Sequence, residues 1–242
     1  QRIHPREAQD FPVRVIDIDE ASLAEIGQWP WPRNIMAELV QRLTALGAAS
    51  VVIDGLFPEP DRLSPSRLAE TLGTTTASDA AALPDYDQLF AAALAASPSV
   101  LGFSVNPGTG PVPEQAKTVP AIVGPNTALL VPYLTNTTMS LPMLVEAAHG
   151  LGSIGLEPHG TVGTIRRLPL IWTNGTALFP TLSIEGLRIA LGVQTPVVFA
   201  DQSGFGTVQS VRVGPYEVPT TAEGELWLYY QETPDNLYVS AR

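Results

Sequence analysis

Residues 13–54 read VRVIDIDEASLAEIGQWPWPRNIMAELVQRLTALGAASVVID, and this stretch carries the strongest fold signal in the chain. The β-branched runs at 13–18 and 50–54 are typical of buried strands. Between them, Pro32 suits the first turn of a helix that extends to about Leu46. A strand, a helix and a second strand in this order predict a βαβ unit with parallel strands and a right-handed crossover.

The helix of this unit is predicted to be amphipathic. Its core-facing residues would be Ile35, Met36, Leu39, Val40, Leu43 and Leu46. Before it, Asp19 is expected to cap a short helical turn that ends at Gly27. The segment Trp29-Pro30-Trp31-Pro32 must be extended, because each proline excludes the helical conformation from the residue before it.

The rest of the chain predicts further alternation of helices and strands. We expect helices at 85–96, 141–148 and 180–191, strands at 100–105 and 121–123, an antiparallel strand pair from 153–156 and 165–171, and short strands between 197 and 239. The fold class is therefore α/β, with a mostly parallel central sheet, flanking helices and an antiparallel C-terminal extension. We expect residues 1–242 to form one domain.

Composition excludes several classes of function. The net charge is -11 and Lys117 is the only lysine, so the chain has no basic stripe for nucleic-acid phosphates. The absence of cysteine excludes disulfides and thiol chemistry. No apolar run approaches the ~18–20 residues of a membrane span. No feature of the sequence calls for a cofactor.

A glycine motif at residues 150–155, GLGSIG, matches the G-x-G-x-x-G pattern of dinucleotide-binding sites. The context differs, because the pattern needs a strand before it and a helix opening on it. Here a predicted helix precedes and strand-like sequence follows. We therefore interpret the motif as a glycine turn and assign no catalytic residue to it.

Acidic residues stand at the ends of the first two predicted strands. Asp17 and Asp19 follow the first and Asp54 follows the second, and parallel strands place their carboxyl ends at one edge. One hypothesis is a Mg²⁺-dependent phosphohydrolase of the haloacid-dehalogenase type that uses Asp17 and Asp19. The alternative is that Asp19 caps the helical turn while Asp17 and Asp54 pair with Arg33 or with backbone amides.

The same edge is where open α/β sheets usually bind ligands. The candidate ligand-binding residues there are Asp17, Asp19, Trp29, Trp31, Arg33, Asp54, Glu59 and Asp61. Trp29 and Trp31 suit a ligand platform, and equally a lid packed on the core. Whether this acidic cluster binds a metal ion stays open. Among the histidine-containing segments, Glu157 and His159 could supply two metal ligands, although a solvated loop histidine is the alternative.

Several segments together resemble the CHASE2 domain family. These are VIDIDEASL at 15–23, IGQWPWPR at 26–33, LGA at 46–48 and VIDGLFPEPD at 52–61, then GSIG at 152–155, RRLPL at 166–170, FPTLS at 179–183 and the closing 229–241. The sequence has EPHG at 157–160 where the family usually has an Asp-rich D-x-D-G turn. An ion-binding role is therefore not transferred to that turn.

The resemblance implies an extracytoplasmic, periplasmic sensor and not an enzyme. It implies membrane helices outside both ends, and a cytoplasmic output such as an adenylate or guanylate cyclase or a histidine kinase. The expected partners are a small ligand or a protein signal and a second copy of the chain in a homodimer, with the membrane contacted only by flanking helices. A structural dimerisation module without a ligand is the remaining alternative.

Overall fold

The computed structural model describes residues 12–73, 76, 79, 82–125, 129–156, 164–230 and 236–242. The helices are α1 (Glu20–Ile26), α2 (Arg33–Ala45), α3 (Pro65–Leu72), α4 (Tyr86–Ala95), α5 (Pro142–Ala147) and α6 (Leu182–Ala190). The strands are β1 (Val15–Asp17), β2 (Val51–Ile53), β3 (Ser99–Val105), β4 (Ala121–Val123), β5 (Thr137–Thr138), β6 (Gly150–Ser153), β7 (Arg167–Pro169), β8 (Ile171–Thr173), β9 (Leu178–Pro180), β10 (Val197–Ala200), β11 (Val208–Val213), β12 (Tyr216–Pro219), β13 (Glu225–Trp227) and β14 (Tyr238–Ser240).

The central sheet is built around β3, whose first five residues are buried. Both β2 and β6 pair with β3 in parallel, and the two-residue β5 pairs with its end in the antiparallel direction. The mostly parallel central sheet that the sequence predicts is thus confirmed. Its buried β3 fits the pattern of a parallel strand covered on both faces.

The predicted βαβ pairing of the first strand is wrong. β1 pairs in parallel with β14, with Val15 opposite Tyr238 and Asp17 opposite Ser240, and the described strand pairs do not join β1 to β2. The apolar pattern of β1 shows that it is a strand but carries no information on its neighbour. The neighbour here comes from the far end of the chain.

A second sheet has the order β12-β11-β10-β4. β10, β11 and β12 are antiparallel, which confirms the predicted C-terminal extension, while β4 joins β10 in parallel. Val198, Val211 and Val213 are fully buried and centre a hydrophobic cluster of their own. The main cluster lies under α2, α4 and the central sheet, where Phe90 and Phe103 are fully buried.

The predicted core-facing residues of α2 are confirmed in the middle of the helix, but the prediction is wrong at its C-terminal end. Met36 and Val40 are buried, and Ile35 and Leu43 pack partly buried against the main cluster. Leu46 is 84% exposed, because it is the C-cap residue and lies beyond the last turn that faces the core.

The segment around residue 153 also differs from the prediction. Instead of an antiparallel pair with 165–171, β6 lies parallel to β3, while β7 pairs with β13 and β8 with β9. The glycines explain why β6 can lie there. A Cβ on Gly152 would stand 2.5 Å from the Leu182 backbone, so glycine lets α6 approach the strand closely. The G-x-G-x-x-G pattern therefore begins in a buried strand and is not simply a turn.

Candidate functional site

The loop that follows β2, residues 54–64, is folded against the starts of two helices. Its anchor is Phe57, which is 1% exposed and meets Phe90 edge to face at 5.1 Å between ring centroids. The Phe57 N–H donates to the Ser140 hydroxyl at 3.1 Å, and the Phe57 carbonyl accepts from the Leu141 N–H at 2.8 Å. The loop is therefore fixed by both packing and hydrogen bonds.

Asp61 in this loop caps a helix from a distance. The N-cap residue of α2 is Pro32, which has no side-chain acceptor. The Asp61 Oδ2 atom instead accepts the Arg33 N–H at 2.7 Å, and its Oδ1 accepts the Leu63 N–H at 2.9 Å. Asp61 thus supplies the capping oxygen that the local sequence lacks.

Asp87, in the first turn of α4, continues the cluster. Its Oδ2 accepts the Asp61 N–H at 2.9 Å. The Arg33 guanidinium lies 4.4 Å above the Phe57 ring, and its Nε atom is 3.8 Å from Asp87 Oδ1. We call Arg33, Phe57, Asp61 and Asp87 the charge cluster. It brings the starts of α2 and α4 together over the 54–64 loop.

The ion pair of the charge cluster is incompletely hydrogen bonded. The side chains of Arg33 and Asp87 are 11% and 3% exposed. At 3.8 Å the Nε and Oδ1 atoms are too far apart for a hydrogen bond, and neither has another partner in the described part of the chain. A buried polar atom without a partner costs free energy, so these two atoms oppose the stabilisation that the other contacts of the cluster provide.

Burial controls the electrostatics of this pair. Burial raises the pKa of Asp87, and the nearby Asp85 carboxylate raises it further. The hydrogen bond from the Asp61 N–H and the charge of Arg33 both lower it, but they do not cancel the effect of burial. Burial also lowers the pKa of Arg33, and the carboxylates of Asp61 and Asp87 oppose that shift. Arg33 and Asp87 therefore both carry charge at a desolvation cost that their mutual attraction only partly offsets.

The acidic residues at the first strand ends are placed differently from the prediction. Asp19 is the N-cap of α1, accepting from the Ser22 N–H at 2.8 Å, which confirms its capping role. The pairing of Arg33 with Asp17 or Asp54 is wrong, because the partner of the guanidinium is Asp87. Across the described ranges, no three acidic or histidine residues form a group able to hold a metal ion. Glu157 and His159 lie outside the described residues.

The two tryptophans have separate environments. Trp31 is 1% exposed and donates its indole N–H to the Gly27 carbonyl at 2.8 Å, so it packs in the core. Trp29 is 44% exposed and meets Trp31 at 6.0 Å between ring centroids. Glu59 lies on the solvent side of the loop, in an exposed ion pair with Arg62 at 2.8 Å.

The structure therefore brings together two of the sequence-predicted residues, Arg33 and Asp61, with one that was missed, Asp87. The sequence feature that could have pointed to Asp87 is the pair of aspartates, Asp85 and Asp87, at the start of the predicted helix at 85–96. Such residues usually cap a helix from the surface, as Asp85 does here by accepting from the N–H groups of Asp87 and Gln88. Asp87 differs in being buried, and there its carboxylate accepts the Asp61 N–H of the 54–64 loop.

Comparison with known proteins agrees with the resemblance noted from the sequence. The family model of the CHASE2 domain matches residues 1–242. The chain therefore belongs to the CHASE2 domain family, a family of extracytoplasmic sensor domains that are not themselves catalytic. Neither a search of curated proteins nor one of solved structures finds a match. Within the described ranges, no helix is long and apolar enough to cross a membrane.

Proposed function

We propose that this chain is the periplasmic sensor of a bacterial inner-membrane receptor and regulates a cytoplasmic adenylate or guanylate cyclase or a histidine kinase. Membership of a sensor family supports the role. The observation that carries the site is the incompletely hydrogen-bonded pair of Arg33 and Asp87, since a sensor needs an element that a stimulus can bias between two arrangements.

The stimulus would act on the atoms that lack partners. A small ligand or a rearranged loop that offers an acceptor to Arg33 Nε, or a donor to Asp87 Oδ1, would favour a second state of the cluster. Asp61 would transmit that change, because it bonds both the start of α2 and Asp87. Within the wider candidate set, the exposed face of Trp29 is the surface that a ligand would contact.

Of the remaining residues of that set, Asp17, Asp54 and Glu59 are exposed and Asp19 caps α1, so they lie outside the charge cluster. We propose that two copies associate in the intact receptor, so that a change in each charge cluster alters the relative position of the output domains. Light scattering on the intact receptor tests the homodimer directly, and a monomeric active receptor contradicts it.

The function is tested in the full-length receptor with Arg33→Ala and Asp87→Asn. Both variants should alter basal output, measured as cyclic nucleotide formation or autophosphorylation, since each removes one charge of the pair. Arg42→Ala is the matched control, because Arg42 is exposed and pairs with Glu38 on the surface of the same helix. Unchanged basal and stimulated output in both cluster variants, with thermal unfolding showing a folded domain, would refute the assignment of this site.

A further inference from the structure

The first and last described strands form a small ribbon. β1 and β14 pair over three residues in parallel, and they make a two-stranded sheet. The ribbon is extended by two hydrogen bonds, from the Val15 N–H to the Leu237 carbonyl and from the Ala241 N–H to the Asp17 carbonyl. Two strands alone have little stability in water, so other contacts must hold β14 in place.

Apolar burial is a minor part of those contacts. Tyr238 is 53% exposed and Val15 opposite it is 38% exposed; Val239 is 46% exposed and Ile16 opposite it is half-buried. Of the described residues 236–242, only Ala241 packs partly buried against the main hydrophobic cluster. Removing β14 from β1 would therefore expose little apolar surface, and the hydrophobic cost of separation is small.

The attachment is mainly a polar junction. The Ser240 hydroxyl donates to Asp19 Oδ1 at 2.9 Å and lies 3.0 Å from the Ser22 hydroxyl, which is fully buried. Asp19 Oδ1 also accepts from the N–H and the hydroxyl of Ser22, at 2.8 and 2.7 Å. The cap of α1 thus keeps its own hydrogen bonds when Ser240 leaves, so the junction can open without loss of the helix.

We propose that β14 is a strap that detaches from β1 and docks again while both hydrophobic clusters stay folded, and that its state is coupled to the charge cluster. The coupling part of this proposal rests on the proposed sensor function. The connecting path is short: Asp19 caps α1, Gly27 ends that helix, and the Gly27 carbonyl accepts the indole N–H of Trp31, two residues before Arg33.

Hydrogen–deuterium exchange of the 242-residue chain tests the detachment. Amides of residues 236–242 should exchange well before those of β3, because a strap opens locally. Ser240→Ala should accelerate exchange in 236–242 on the order of tenfold, the effect of losing a hydrogen bond to a carboxylate, and leave β3 unchanged. Ser210→Ala is the matched control, since it removes a hydroxyl bonded to Glu217 at 2.7 Å in the second sheet.

The strap is refuted if residues 236–242 exchange together with β3, or if Ser240→Ala changes exchange equally throughout the chain. An independent variant covers the case in which Ser240→Ala fails to fold. The chain has no cysteine, so Val15→Cys with Tyr238→Cys places two cysteines at paired, exposed positions without competing thiols. Its oxidised form should slow exchange in 236–242 relative to its reduced form, and equal rates would overturn the proposal.

The coupling is tested with the same cysteine pair in the full-length receptor. Oxidation should reduce the change in output between the basal and the stimulated state, and reduction should restore it. If exchange shows an opening strap while the oxidised receptor responds fully, the coupling is wrong, and the assignment of the charge cluster is still judged separately by Arg33→Ala. If exchange shows no opening, the strap itself is wrong whatever the function of the receptor.

Discussion

The pair Glu185–Arg188 and the pair Arg33–Asp87 each bury a carboxylate, and they differ in how their hydrogen bonds are satisfied. Glu185 is fully buried and accepts from Arg188 Nε at 2.9 Å, from Nη2 at 2.8 Å and from the Thr118 hydroxyl at 3.2 Å. Arg188 also donates to the carbonyls of Val193 and His149, at 3.1 and 3.3 Å. Arg33 and Asp87 face each other at 3.8 Å without a hydrogen bond.

The Glu185–Arg188 pair has many hydrogen bonds and stabilises one arrangement of its side chains. The Arg33–Asp87 pair has few and can adopt a second arrangement at little cost. The Glu185–Arg188 bonds lie within α6, while the bonds to Thr118 and His149 join α6 to other segments. Breaking the pair therefore leaves several buried groups unpaired. The Arg33–Asp87 pair has fewer bonds to lose when it rearranges. We therefore expect mutations in the first pair to affect folding and mutations in the second to affect signalling.

The largest expected effect on stability is at the fully hydrogen-bonded pair, Glu185–Arg188. Glu185→Ala leaves the Arg188 guanidinium buried without its counter-charge, and it should lower the free energy of unfolding by about 3–5 kcal/mol. Urea unfolding measures the change. Glu38→Ala, at an exposed pair with Arg42, is the control and should cost below ~1 kcal/mol. A loss as small as that of the control would mean that the Glu185–Arg188 pair is not a main stabilising contact.

A crowding mutation tests the same pair without removing a charge. A Cβ on Gly150 would lie 2.7 Å from Glu185 Oε2 and 3.2 Å from the nearest Val100 methyl group, so Gly150→Ala should displace the carboxylate. The expected loss of stability in urea unfolding is about 1–3 kcal/mol. At Gly55 the added Cβ meets Phe57 and Ile53 at ordinary distances of 3.6 and 3.7 Å, and Gly55→Ala should cost less. Equal losses would show that the approach of β6 to α6 is not tight.

The smallest expected effect is at the charge cluster. Asp87→Asn keeps an oxygen to accept the Asp61 N–H and removes a charge that burial disfavours. Because the Asp61 carboxylate remains beside the Arg33 guanidinium, the stability at neutral pH should change by less than about 1 kcal/mol. If Asp87→Asn lowered the free energy of unfolding as much as Glu185→Ala does, the two pairs would not differ in their contribution to stability.

The pH dependence of Asp87→Asn sharpens this test. Because burial raises the pKa of Asp87 above its unfolded value of about 3.9, the charged carboxylate costs stability at neutral pH. That cost disappears as pH falls through the folded pKa. Relative to the variant, the wild-type chain should therefore gain stability between neutral pH and about pH 4, measured by urea unfolding at several pH values. A relative loss over this range would show that the attraction of Arg33 outweighs burial. Glu38→Gln, which alters an exposed carboxylate, is the control.

Much of the fold follows from local pattern, and its exceptions involve distant segments. The helix at Tyr86–Ala95 and the antiparallel strands after residue 197 are predicted by composition and periodicity. The pairing of β1 with β14 is not, because Ser22 and Ser240 in its junction are 218 positions apart. No local signal distinguishes a parallel neighbour at that separation from a nearer one.

In the candidate site, too, the residues predictable from local sequence differ from the one that depends on a tertiary contact. Arg33 and Asp61 were selected because they belong to loops at the carboxyl ends of strands, where ligands bind. Asp87 was missed because its sequence position fits an ordinary surface residue in the first turn of a helix. In the fold it is buried and accepts the Asp61 N–H, a tertiary contact between residues 26 positions apart.

The cap that Asp61 provides for α2 has a consequence for synthesis on the ribosome. The chain emerges from its N-terminus, so α2 is complete before the residue that caps it has been made, 28 positions after Arg33. The first turn of α2 has no side-chain cap of its own at Pro32. A nascent chain that ends before Asp61 should therefore carry a frayed start of α2, and the turn that presents Arg33 would form only after the following loop has been translated.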